Sequence, residues 1–248
     1  MQPEIDEAFE QWPARQRRVG VVLTCEHASE RLPDAWSWPS ADRRLLGTHW
    51  ASDLGIADLT RELAEALGCA ATLSRFTRLL IDPNRPLSSP TLFRSHCDGE
   101  PVQLNVGLTD ADRHARIRGY YRPYHVACDA MVAAQAGALV LGMHSYTPSY
   151  EGNRREVELG VLWDADDDLG EHWTRRLAEL SGWDVRGNAP WSGKDGLMFG
   201  PQHHATQHGR PAIELELRQD LAVDPVARAK VVGWLVELIR ETHPPAPR

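Results

Sequence analysis

Apolar residues along the chain follow two rhythms. Short runs with almost no polar interruption occur at Val21-Val22-Leu23-Thr24-Cys25, at Ala138-Leu139-Val140-Leu141-Gly142-Met143 and at Gly160-Val161-Leu162-Trp163. Such β-branched and aliphatic runs predict strands buried on both faces. Ala70 to Leu73 and Leu79-Leu80-Ile81 predict further strands. Pro211 to Arg218 alternates apolar with charged residues at period two, the pattern of a strand with one buried face. Elsewhere the spacing is helical. Ile56, Leu59, Leu63, Ala66 and Leu67 predict an amphipathic helix over Asp53 to Leu67, with Ser52 as cap and Gly68 as stop. A second helix is expected to start at Thr109, to carry Ile117, Tyr120, Tyr121, Tyr124, Cys128, Met131 and Val132, and to close at Gly137. Pro123 should kink or split it. Helices are also predicted over Asp168 to Leu180, Leu197 to His208 and Asp224 to Glu241, the last with Pro225 in its first turn.

Strands interleaved with helices predict an α/β fold, a mixed and largely parallel sheet with helices on both faces. One domain is expected over residues 1–248, with 1–18 and 244–248 peripheral. The stretch from Asp82 to Asn105 is rich in Pro and Gly and long for a loop in a compact domain, which marks it as functional or mobile.

Charge narrows the partners. The chain holds 27 basic and 35 acidic residues, a net −8, with no Lys/Arg cluster, which argues against nucleic acid. No apolar run approaches a membrane span and Met1 to Gly20 has no apolar core, so no membrane partner and a cytoplasmic location are expected. Cys25, Cys69, Cys97 and Cys128 form no C-x-x-C pair and read as reduced structural thiols. Oligomeric state is not encoded in any of these patterns.

In open α/β sheets ligands sit beyond the carboxyl ends of the strands, which singles out His27 and His144. A catalytic zinc takes three protein ligands and leaves a position for water. Two histidines supply most of that set, and either Glu30, three residues after His27, or Asp53 could complete it. Glu214, Glu216 and Arg218 share one face of their strand, either in a site or as the solvated face of an edge strand. Arg85, in the turn Asp82-Pro83-Asn84-Arg85, offers a fork for a carboxylate, whereas the bland role of that turn is backbone shaping. No G-x-S-x-G elbow, Gly-rich phosphate loop or cysteine-protease signature is present, which favours an activated water as nucleophile.

Taken in order, Cys25-Glu26-His27-Ala28-Ser29, Asp53-Leu54-Gly55, Ser74-Arg75, Asp82-Pro83-Asn84-Arg85, Tyr121-Arg122-Pro123-Tyr124-His125, Met143-His144-Ser145, Gly187-Asn188-Ala189-Pro190-Trp191 and Glu214 to Leu221 resemble the N-formylglutamate amidohydrolase family. The resemblance spans Val21 to Leu221 and implies a zinc carboxypeptidase-like (phosphorylase/hydrolase-like) architecture related to the aspartoacylases. It implies one Zn2+ held by His27, His144 and Asp53 or Glu30, with Glu216 as base and Arg218 or Arg78 at the oxyanion. Asn84 and Arg85, with Arg78, Ser145, Asn188 and Trp191, would bind a small acidic N-acyl amino acid, N-formyl-L-glutamate first among them. The sequence departs from the family at Glu30, commonly Asn, and at Trp191, more usually Tyr. The rivals are a deacylase or desuccinylase with another acyl pocket, and a non-catalytic binding protein on the same scaffold.

Overall fold

The structure is a computed structural model that describes residues 2–15, 20–150 and 152–243. One sheet contains β1 (Glu4–Ile5), β2 (Phe9–Trp12), β3 (Val21–Cys25), β4 (Ala70–Ser74), β5 (Leu139–Tyr146), β6 (Leu159–Leu162), β7 (Val185–Gly187) and β8 (Ala212–Arg218). They lie in the order β1-β2-β4-β3-β5-β8-β6-β7. The central β4, β3, β5 and β8 are mutually parallel, and β2 and β6 flank them antiparallel. This is the mixed, mostly parallel sheet that the interleaved pattern predicts.

The helices are α1 (Ile56–Leu67), α2 (Asp110–Arg116), α3 (Arg122–Ala134), α4 (Asp167–Ser181), α5 (Phe199–His208), the short α6 (Gln219–Ala222) and α7 (Pro225–Thr242). Alternation along each strand divides its side chains between the two faces. Leu23, Leu141 and Leu215 pack with α1, α4 and α7, whereas Val22, Val140 and Ala212 pack with α3 and α5.

Several local expectations give way to packing. Leu79, Leu80 and Ile81 are fully buried but form no strand; Leu79 and Leu80 lie in a turn, with Leu80 N–H donating to Thr77 O at 3.0 Å. A run of three apolar residues registers burial and not backbone shape. Over Ala212–Arg218 every residue is buried, because β8 is an inner strand, not one with a solvated face. The opening segment is not merely peripheral, since β1 and β2 extend the sheet edge; residues 244–248 lie outside the described residues. The long helix breaks just before Pro123, where a π turn over Ile117–Tyr121 ends with Arg122 N–H donating to Ile117 O. Proline has no N–H to lose in the first turn of α3, so the irregularity falls upstream of it. Finally, α1 begins at Ile56, later than expected. Its N-cap is Gly55 at φ 79°, and a Cβ there would lie 2.3 Å from Ala222 O, so only glycine fits. Asp53 is thereby left outside the helix.

Between α3 and α5, His125 Nδ1 and His204 Nε2 lie 3.0 Å apart. Burial, reinforced by neighbouring histidines, pushes His125 down to about 3 and His204 down to about 4. Both values lie below the roughly 6.5 of an unfolded histidine, so the unfolded chain binds more protons as pH falls through that window. Stability is therefore complete above about pH 6.5 and is lost below it, by up to about 1.4 kcal/mol per pH unit for each histidine. A thermal unfolding midpoint that falls from pH 7 towards pH 4, less steeply in His204→Gln, is the expected result.

Candidate metal centre

Parallel register assembles the site. Thr24 of β3 pairs with Gly142 of β5, and Glu216 of β8 pairs with His144, so the carboxyl ends of three neighbouring strands present Glu26, His144 and Glu216 together. His144 lies within β5 and not beyond its end as expected; the strand runs on to Tyr146. Asp53 arrives from the turn before α1, its N–H donating to His27 O at 3.0 Å.

Both histidines are oriented alike. His27 Nε2 meets Asp82 Oδ1 at 2.7 Å, and His144 Nε2 meets Glu26 Oε2 at 2.9 Å. Their Nδ1 atoms turn to one oxygen, Asp53 Oδ2, at 3.5 Å and 3.0 Å. A carboxylate on one ring nitrogen fixes the tautomer and leaves the other nitrogen's lone pair for a metal. His27 Nδ1 is buried and has no hydrogen-bond partner, an orphan that a cation would satisfy. One ligand atom each from His27, Asp53 and His144 lie within 4.8 Å of one another. Two histidines and a carboxylate are a donor set of catalytic zinc sites, and the residues present fit such an ion.

The surrounding charge is dense. Arg78 bridges Asp53 Oδ1 at 3.2 Å and Asp82 Oδ2 at 3.4 Å. Burial disfavours both carboxylates in charged form, but the His27 and Arg78 charges outweigh it and hold both below the usual range. Glu26 also accepts from Tyr124 OH at 3.1 Å. Glu214 Oε2 stands 3.4 Å from His144 Nε2, in space left by Gly142, whose missing Cβ would lie 3.3 Å from that oxygen. Burial opposes charge on His144, yet Glu214, Asp53 and Glu26 outweigh it and raise its pKa well above the ordinary value.

A cavity of about 310 Å³ opens over the cluster, and Glu216 lines it whereas Glu214 does not. Burial pushes Glu216 up to about 8, with His144 pulling it down and Glu214 pushing it up, and its Oε2 has no partner. Arg78, Asn84, Arg85, Ser145 and Trp191 also line the cavity. Asn84 Oδ1 accepts the Gly200 N–H at 2.7 Å, tying its loop to the start of α5. Arg85 donates to Asn84 O at 2.7 Å and has no carboxylate within ion-pair distance among the described residues. Ser145 N–H donates to Asp53 Oδ2 at 3.2 Å.

Three expected site residues are not brought in. Glu30 is exposed and its carboxylate accepts the Gly47 N–H at 2.6 Å. The segment after His27 is irregular, so the three-residue spacing, which would align the two side chains on a helix, does not align them here. Arg218 is held by Asp220 at 2.8 Å and 3.2 Å and by Glu156 O at 2.9 Å, away from the cavity. Asn188 Oδ1 accepts the N–H groups of Trp163 and Gly193, at 3.2 Å and 2.9 Å, and shapes the loop before Trp191. Conversely, Glu26 and Asp82 stood in the quoted motifs without a role. Metal content in Glu30→Gln is expected to equal that of the wild type, with turnover within about twofold, as for a surface change; metal loss in that variant would return Glu30 to the ligand set.

Comparison with known proteins identifies relatives of the whole chain. A solved gene product from Agrobacterium tumefaciens shares 31% identity, covering 95% of this chain and 94% of its own, with a TM-score of 0.87. The N-formylglutamate amidohydrolase from Ralstonia eutropha shares 19% identity over 95% of this chain and 98% of its own, with a TM-score of 0.70. No curated protein matches the sequence significantly. The family model described as N-formylglutamate amidohydrolase matches residues 19–223, and the chain belongs to that family.

Proposed function

We propose that this chain is a zinc-dependent hydrolase that cleaves the amide of an N-acyl acidic amino acid, N-formyl-L-glutamate first, to formate and glutamate. The observation that carries the reading is the pair of carboxylate-oriented histidines converging with Asp53 beneath a cavity that also holds Glu216. A single zinc ion held by His27, Asp53 and His144 would supply Lewis acidity, acidifying water and polarising the scissile carbonyl.

The chain's own residues do the rest. Glu216 lines the cavity with one carboxylate oxygen unpartnered, takes the proton of the attacking water and returns it to the leaving nitrogen. Its raised pKa would be drawn down towards neutrality beside a bound divalent cation, the range in which a base both accepts and gives up a proton. Arg85 binds the substrate α-carboxylate through its free guanidinium face, and Asn84 holds Arg85's loop in place. Arg78 balances the charge of Asp53 and Asp82 and faces the same cavity, where it supports the developing oxyanion.

Elemental analysis of the purified protein, paired with hydrolysis of N-formyl, N-acetyl and N-succinyl derivatives of glutamate, tests the reading. About one zinc per chain with preferred release of formate supports it. Bound zinc with preference for another acyl group moves the substrate to a deacylase or desuccinylase, and failure to bind zinc when it is supplied rejects the metal mechanism.

A further inference from the structure

The cavity contains an arginine whose charge nothing described so far uses. Arg155 follows a small hairpin (Ser149–Tyr150 with Asn153–Arg154) and lines the cavity together with His27, His144 and Glu216. Its guanidinium lies 4.2 Å from the Trp191 ring centroid, 5.2 Å from Tyr150 and 5.6 Å from Tyr146. Its backbone N–H donates to Pro148 O at 2.9 Å and its Nη1 donates to Thr147 O at 3.4 Å. Among the described residues no carboxylate lies within 4.0 Å of it.

We infer that Arg155 is a specificity-determining residue that binds the second, side-chain carboxylate of the substrate, so that the site selects N-acyl amino acids with an acidic side chain over their neutral isosteres. The inference rests on the hydrolase reading above and assigns a contact that reading leaves open. A substrate with two carboxylates needs two cationic contacts in a chain of net charge −8, whose overall field repels it. Arg85 takes one. Arg78 is engaged by Asp53 and Asp82. Arg94 also lines the cavity but stacks on a single ring, 5.0 Å over Trp50, and borders an adjoining cavity as well. Arg155 remains. Stacking on the rings fixes the plane of the fork before substrate arrives, which lowers the ordering cost of a bidentate contact. Trp191 is the ring nearest the guanidinium.

The test compares kcat/KM for N-formylglutamate and N-formylglutamine in zinc-loaded wild type, Arg155→Gln, Arg155→Lys and Arg94→Gln. Wild type should prefer the glutamate substrate, and Arg155→Gln should reduce that preference by roughly 10–100-fold, mainly through KM, as for loss of hydrogen bonds to a charged group. Lysine should restore part of it, because it keeps the charge and loses the fork. Calorimetric binding of free glutamate should weaken in Arg155→Gln, a readout independent of turnover. The ratio of the two substrates also separates this role from a folding defect, which would depress both alike. A preference retained in Arg155→Gln, or lost instead in Arg94→Gln, overturns the assignment while the hydrolase reading stands. Wild type that cleaves neither substrate overturns the hydrolase reading and the assignment with it.

Discussion

Glu216→Gln should lower formate release from N-formylglutamate by roughly 10²–10⁴-fold, the contribution of a positioned general base, while leaving zinc content unchanged. Glutamine keeps the shape of the side chain and removes its ability to take a proton. The loss should fall on kcat, because Glu216 is not among the three converging residues and, among the described residues, makes no ion pair with an arginine. Glu214 gives the contrast. It shares the strand face with Glu216 but sits against His144 Nε2 and away from the cavity, so Glu214→Gln should act through His144 and metal affinity. Second-sphere changes of that kind cost about 10–100-fold in affinity or activity. Steady-state kinetics with metal analysis on both variants checks the assignment; full turnover in Glu216→Gln would remove it from the chemistry.

His144→Ala should have the larger structural effect. His144 is 2% exposed and sits among Glu26, Asp53 and Glu214, at 2.9 Å, 3.0 Å and 3.4 Å. Removing the imidazole takes away one of the three proposed metal-binding residues and leaves three buried carboxylates facing one another. Breaking a buried ionic arrangement by deleting one partner destabilises by roughly 3–5 kcal/mol. For a chain of this length that corresponds to a fall of roughly 10 °C in the unfolding midpoint, compared between metal-free proteins. Formate release and bound zinc should both disappear. Stoichiometric zinc in His144→Ala, shown by elemental analysis, would move the metal site elsewhere.

What could be read in advance was what depends on local order. Unbroken apolar runs placed the strands at Val21–Cys25 and Leu139–Tyr146, and helical spacing placed the helices at Ile56–Leu67, Asp167–Ser181 and Pro225–Thr242, to within a few residues. The rule that ligands gather beyond parallel strands singled out His27 and His144, and the order of motifs identified the family.

The choice between Asp53 and Glu30 was beyond that reading, because it depends on where side chains point once the chain has turned. The left-handed Gly55 and the Asp53 N–H bond to His27 O aim Asp53 at the histidines, while the irregular stretch after His27 sends Glu30 to Gly47. Strand register separated Glu216 from Glu214, and an ion pair with Asp220 withdrew Arg218. Glu26, Asp82 and Arg155 acquire roles only through partners 118, 55 and 36 positions distant, His144, His27 and Trp191. The sequence by itself determined the inner strands of the sheet, the main helices, the family and most of the residue types in the site. Tertiary structure alone decided which of those residues meet, because a metal or a carboxylate is bound over a few ångströms, a scale fixed by register and long-range packing and not by spacing along the chain.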